Sequence, residues 1–177
     1  NAPFHSNRAV SQWLGQGYYL WTDSDYFAHE WGKLPPRNNK YVIIKFDFIL
    51  DNEEELLDLV GNVNDQLTFR NLVELYKDFL KKAISETTDR MKRINARNKL
   101  NEISVSTVIT FFQRRQGFPY KAVKAQDLDS SQTSNLQFVA DSTGKKSFLS
   151  YPARQQIVVY EWGKEILNNP EIYFTKS

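Results

Sequence analysis

The chain has 177 residues, 41% of them hydrophobic and 14% aromatic, with a formal net charge of +2. That length suits one domain with a substantial core, and the near-neutral charge gives no whole-chain reason to expect nucleic acid or a membrane surface as partner. The absence of cysteine excludes disulfides and thiolate metal sites and fits a reducing, cytoplasmic setting; no apolar run approaches the roughly 20 residues of a membrane-spanning helix.

The chain opens Asn1-Ala2 without Met. Residues 1–2 read as an expression scar, and further sequence is expected upstream of Pro3. Residues 3–14 read as irregular. Gly15-Gln16-Gly17-Tyr18-Tyr19-Leu20-Trp21 then combines two glycines with three aromatic rings. Glycine allows close approach to the backbone, and rings offer flat apolar faces for stacking. The segment therefore has two readings: a turn into a core strand over 18–21, or one wall of a pocket for a planar cofactor. Thr22, Asp23, Ser24 and Asp25 are N-cap candidates for a short helix over 26–31, which Gly32 and Pro35-Pro36 should end. Residues 41–50 form the clearest strand. Val42, Ile44, Phe46, Phe48 and Leu50 share one apolar face, as a core strand requires.

The middle reads as helical. Asp51 or Asn52 can cap a helix carrying Glu53, Glu54 and Glu55 in its first turn, where they complement the dipole, with Gly61 as its stop. Leucines and phenylalanines at three- and four-residue spacing predict one or two amphipathic helices from 66 to about 99. Another helix is expected from about 102 to 115. Residues 120–124 suit a short strand, and 126–135 a loop. Residues 136–140 and 147–151 suit a hairpin across Asp141-Ser142-Thr143-Gly144. Residues 156–160 suit a final β-branched strand, followed by a short helix over 162–167 that Asn168-Asn169-Pro170 ends. Strands, then helices, then strands is the order of an α+β domain.

Three segments, taken in order, carry a resemblance. They are Gly15-x-Gly17-Tyr18-Tyr19 with Thr22-Asp23 and the helix bearing Ala28 and Trp31; Gly117-Phe118-Pro119-Tyr120-Lys121-Ala122-Val123; and Tyr151-Pro152-Ala153-Arg154-Gln155-Gln156-Ile157-Val158-Val159-Tyr160-Glu161. Together they resemble the ADP-ribosyltransferase fold of the diphtheria-toxin and poly(ADP-ribose) polymerase type, including its small bacterial relatives. The resemblance covers both ends of the chain and skips the middle. It implies a split antiparallel β-sheet with an NAD cleft, in one domain over 3–177 with a helical insertion over 51–115. It further implies chemistry that breaks the nicotinamide–ribose bond, as a mono-ADP-ribosyltransferase or an NAD glycohydrolase. NAD, as substrate, and a protein acceptor are the implied partners; neither membrane nor nucleic acid is expected.

By the resemblance, His5, Gly17, Tyr18 and Tyr19 are the cofactor-binding residues, and Gln156 stands at the catalytic position. There the family carries Glu, whose charge stabilises the developing oxocarbenium ion. Gln156 can bond a ribose hydroxyl but has no charge. Glu161, five residues along the strand, falls on the opposite face. His5 lies only ten residues before Gly15, closer than the family's usual spacing. The alternative function is an inactive nucleotide- or protein-binding module on the same fold.

Other signals have simpler readings. Arg90, Lys92, Arg93, Arg97 and Lys99, with Arg114 and Arg115 downstream, read as a solvated helix face, with phosphate or RNA binding as the alternative. A helical interaction protein built on 51–115 is a third reading. His29 and Glu30 with Asp23 and Asp25 lack the spacing of a zinc motif, so no metal site is expected. No Gly-x-Ser-x-Gly elbow or phosphate-binding glycine loop occurs. Trp13, Trp21, Trp31 and Trp162 read as core or pocket walls.

Overall fold

The computed structural model describes residues 5–6, 12–35, 37, 39–127, 134–139, 146–151 and 153–177. The chain is α+β with open sheets. The central sheet has the order β1-β7-β4-β3, with β1 (Tyr18–Trp21), β3 (Leu56–Asp58), β4 (Ala122–Asp127) and β7 (Arg154–Val159). Its β1–β7 and β7–β4 pairs are antiparallel, whereas β4–β3 is parallel. A two-stranded ribbon joins β2 (Tyr41–Phe48) to β8 (Leu167–Lys176), and β5 (Ser134–Val139) pairs with β6 (Lys146–Tyr151) as the expected hairpin. The hairpin's turn, 141–144, and most of the expected loop over 126–135 lie outside the described residues.

Each face of the central sheet carries its own core. On one face Val123, Ala125, Val158 and Tyr160 pack with Leu14 and Ile109, and Tyr19, Phe69, Leu72 and Phe112 join them. Helices α2 (Val63–Glu86), α3 (Arg90–Asn101) and α4 (Val105–Gln113) form the layer on this side. On the other face Tyr18, Ala122, Ile157 and Val159 pack with Ile166, and Phe48, Leu50 and Leu167 bring in the ribbon.

Helix boundaries follow side-chain caps, which satisfy the amides that a helix start leaves unpaired. Asn62 accepts from the amides of Asn64 and Asp65, Asp89 from Met91 and Lys92, and Ser104 from Thr107. The Asp89 cap divides the long helical stretch into α2 and α3. Asn52 caps only one 3-10 turn, Glu53–Glu55, and the expected helix stops there. Leu57 explains the change: it is fully buried, and β3 extends to deliver it into the core beside β4. Gly32 also departs from expectation, because it lies inside α1 (Tyr26–Lys33) rather than ending it. The Tyr41 ring lies so close that a Cβ there would meet it at 2.4 Å.

Two strands differ from the sequence reading. β2 is not a core strand: none of its residues is buried, and Val42 is 51% exposed. Its sole strand partner among the described residues is β8, so most of its apolar face packs only partially. β7 is not the last strand, because β8 continues through Asn168-Asn169-Pro170. The register against β2 skips Asn169 and Pro170, and Asn169 has φ 48°. A bulge accommodates a proline that cannot donate to the ladder.

Candidate functional site

The loop before β1 is built around a buried turn. Gly15 has φ 90°, a left-handed conformation that favours glycine. The Tyr19 hydroxyl accepts from the Leu14 amide at 3.0 Å and donates to the Gly15 carbonyl at 2.8 Å. The Tyr160 hydroxyl donates to the Leu14 carbonyl at 2.9 Å. Both backbone groups of fully buried Leu14 are therefore satisfied by tyrosines. Burial pushes the Tyr19 phenol up to about 12, and burial followed by the neighbouring Tyr19 raises Tyr160 as well. These phenols stay protonated and act as hydrogen-bonding struts.

Gly17 serves the sheet. A Cβ at this position would sit 2.5 Å from the Val159 carbonyl oxygen and 2.7 Å from a Val158 methyl. Its carbonyl accepts from the Ser6 amide at 2.8 Å, and its amide donates to the Ser6 hydroxyl at 3.0 Å. That contact brings the segment at residues 5–6 against the outer side of β1, where His5 bridges to Tyr18.

The register Tyr18↔Val159, Tyr19↔Val158 and Trp21↔Gln156 assigns the candidate residues to faces. Paired antiparallel residues share a face, and successive residues alternate. Tyr19, Trp21 and Gln156 therefore lie on the helix-covered face, while Tyr18 lies on the ribbon-covered one. The structure brings His5 to Tyr18 and sets Gln156 on the opposite face of the sheet, yet all three, with Tyr19, line one cleft at the edge of β1.

On the ribbon side the His5 and Tyr18 rings meet edge-on at 5.1 Å. The Tyr18 hydroxyl donates to Glu161 Oε2 at 2.7 Å, and His5 Nε2 stands 3.9 Å from the same oxygen. That bond to Glu161, together with burial, raises the Tyr18 phenol. The Lys164 ammonium lies 5.3 Å from the Tyr18 ring centroid. Glu161 belongs to this group although the sequence reading set it aside. Glu161 reaches the ribbon-covered face from the 3-10 turn Glu161–Ile166, beyond the end of β7, where strand alternation no longer applies, and the β1–β7 register shows that Tyr18 occupies that face.

On the helix side Trp13 Nε1 donates to Gln156 Oε1 at 2.9 Å. The Trp21 and Phe27 rings lie 5.5 Å apart, with the Arg154 guanidinium near both. A cleft of about 1400 Å³ runs along the outer edge of β1 towards α1 and β2. Trp13, Tyr18, Trp21 and Tyr41 supply rings to its wall; Gln156 and the cations of Arg37, Lys40 and Lys45 also line it. Arg37 stacks over the Trp31 ring at 3.2 Å. His29 Nδ1 lies 2.9 Å from the Tyr41 hydroxyl, and its Nε2 is 3.3 Å from Asp25. Among the described residues no group of three or more His, Asp or Glu converges as metal ligands would, and no helix is long and apolar enough to cross a membrane.

No protein-family model, curated protein or solved structure matches this chain.

Proposed function

We propose that the chain is an ADP-ribosyltransferase-like domain that binds NAD or a related nucleotide in the cleft beside β1 without turning it over. The rings of Trp13, Trp21 and Tyr41 suit the planar bases. Arg37, Lys40 and Lys45 provide positive charge for a diphosphate. The observation that carries the binding-only reading is the neutral amide of Gln156, its oxygen already engaged by Trp13. An amide supplies no negative charge to a developing oxocarbenium ion.

Calorimetry with NAD and an assay for released nicotinamide test this reading. Binding without release is expected. Absence of NAD binding removes the reading, and release by the unaltered chain refutes its binding-only half. Gln156→Glu supplies the missing charge; a gain of turnover identifies the cleft as the NAD site.

A second reading rests on the His5–Tyr18–Glu161 group. In an NAD glycohydrolase or mono-transferase, the Glu161 carboxylate would stabilise the ribosyl cation as nicotinamide leaves with the bonding electrons. Nicotinamide release that disappears in Glu161→Gln but persists in Gln156→Ala favours this alternative.

A further inference from the structure

The basic residues singled out in the sequence do not share one fate. Arg93 is structural: its Nη2 donates to the Thr87 carbonyl at 2.7 Å. Lys99, near the end of α3, instead meets Arg114 and Arg115, which follow α4, around a separate cavity of about 400 Å³. Ser106, Thr107 and Thr110 add hydroxyl groups to its wall. Tyr76, Phe79 and Phe111 form an aromatic floor, with Phe111 4.8 Å from each of the other two rings. Phe79 is 43% exposed, so its ring remains accessible.

No carboxylate lines this cavity. The nearby acids of α2 are occupied by lysines of the same helix: Glu74 with Lys77, Asp78 with Lys81, and Glu86 with Lys82. Among the described residues neither Lys99 nor Arg114 forms an ion pair. Arg115 is held by stacking, with its guanidinium 3.8 Å from the Phe111 centroid and 4.8 Å from that of Phe79. Stacking positions a guanidinium while leaving its N–H groups free to bind an oxyanion. Three cations, three hydroxyls and an apolar floor are concentrated in a space large enough for a small molecule.

We propose that this cavity binds a phosphate monoester that also carries a planar ring, as a nucleoside monophosphate does. The phosphate would lie among Lys99, Arg114 and Arg115, and the ring against the exposed part of Phe79, beside the Arg115 guanidinium that already covers Phe111. This site is distinct from the cleft beside β1, although Gln12 lines both.

Calorimetry on the full chain with AMP, adenosine and inorganic phosphate tests the assignment. AMP is expected to bind more tightly than either component alone. Lys99→Gln and Arg114→Gln should each weaken AMP by about tenfold, the usual scale for losing a charge-assisted hydrogen bond. Lys82→Gln, which removes a cation elsewhere on the helical layer, should leave AMP affinity unchanged. Four results overturn the proposal: no AMP binding; inorganic phosphate binding as tightly as AMP; affinity unchanged in both Lys99→Gln and Arg114→Gln; or affinity that falls in Lys82→Gln. Circular dichroism of each variant separates lost binding from lost folding.

Discussion

Gly17→Ala separates a glycine required by the sheet from one kept for a ligand. The new Cβ would meet the Val159 carbonyl oxygen at 2.5 Å, whereas ordinary contact begins at 3.4 Å, so β1 and β7 must part locally by about 0.9 Å. Neither obstacle is the end of a long flexible side chain; one is backbone and the other is a buried valine methyl. A ladder hydrogen bond of ~2.9 Å stretched by that amount is lost, at about 0.5–1.5 kcal/mol for each bond. Overpacking a fitted interior adds about 1–3 kcal/mol, and the restricted unfolded chain returns about 0.4–1 kcal/mol. The net expectation is a loss of about 2–3 kcal/mol. With a urea dependence of ~2 kcal/mol per molar, the unfolding midpoint should fall by ~1–1.5 M. Gly15→Ala is the comparison. Its Cβ has room, with the nearest atom 3.8 Å away, so only the left-handed backbone opposes it. That strain costs about 1–2 kcal/mol, and its midpoint should shift less. A Gly17→Ala midpoint within ~0.3 M of the parent would refute the steric argument. If NAD binding vanished at the same time, the glycine would be serving the ligand instead.

Tyr160→Phe strands the buried Leu14 carbonyl and should cost about 1–3 kcal/mol in urea unfolding, whereas Tyr18→Phe, whose partner Glu161 has a 59% exposed side chain, should cost under about 1 kcal/mol; a reversed order would show that Leu14 is not locked as described. Alkaline stability gives an independent check. A phenol raised on folding contributes stability that is complete below its unfolded value of 10.0 and lost as pH rises through its folded value. Tyr19, at about 12, therefore makes stability fall between pH 10 and 12, and Tyr19→Phe should flatten that decline when unfolding is followed by tyrosinate absorbance. In acid the sign is opposite. Lys121 bonds Glu165 at 3.0 Å and Glu55 at 2.8 Å, and it holds the Glu165 carboxyl below 4.5. The contribution from Glu165 is present above pH 4.5 and declines as pH falls below it. Lys121→Met should remove that part of the acid dependence; an unchanged acid limb would place its origin elsewhere.

The local elements were legible because their signals are local. β1 begins and ends at the expected residues, α4 falls within the helix expected from about 102 to 115, and the hairpin of β5 and β6 follows from two β-prone runs around a turn. Glu161 lies across the sheet from Gln156, but it gets there from a 3-10 turn and not from the strand that the parity argument assumes. Errors arose where a distant partner outweighed local preference. Three glutamates favour a helix start, yet burying Leu57 beside Val123 draws the next residues into β3. The alternating apolar pattern of β2 resembles a core strand, yet partnership with β8 leaves it in a ribbon.

The sequence by itself determined an α+β chain without cysteine chemistry, a glycine-aromatic strand near its start and a helical middle with a basic run over 90–99. Composition and period suffice for these, because they depend on neighbouring residues. Only the tertiary structure decided that Tyr18 faces Glu161 while Tyr19 braces Leu14, and that Lys99 joins Arg114 and Arg115 around one cavity. Strand register and helix packing set those meetings, and both are fixed by contacts between residues far apart in the chain.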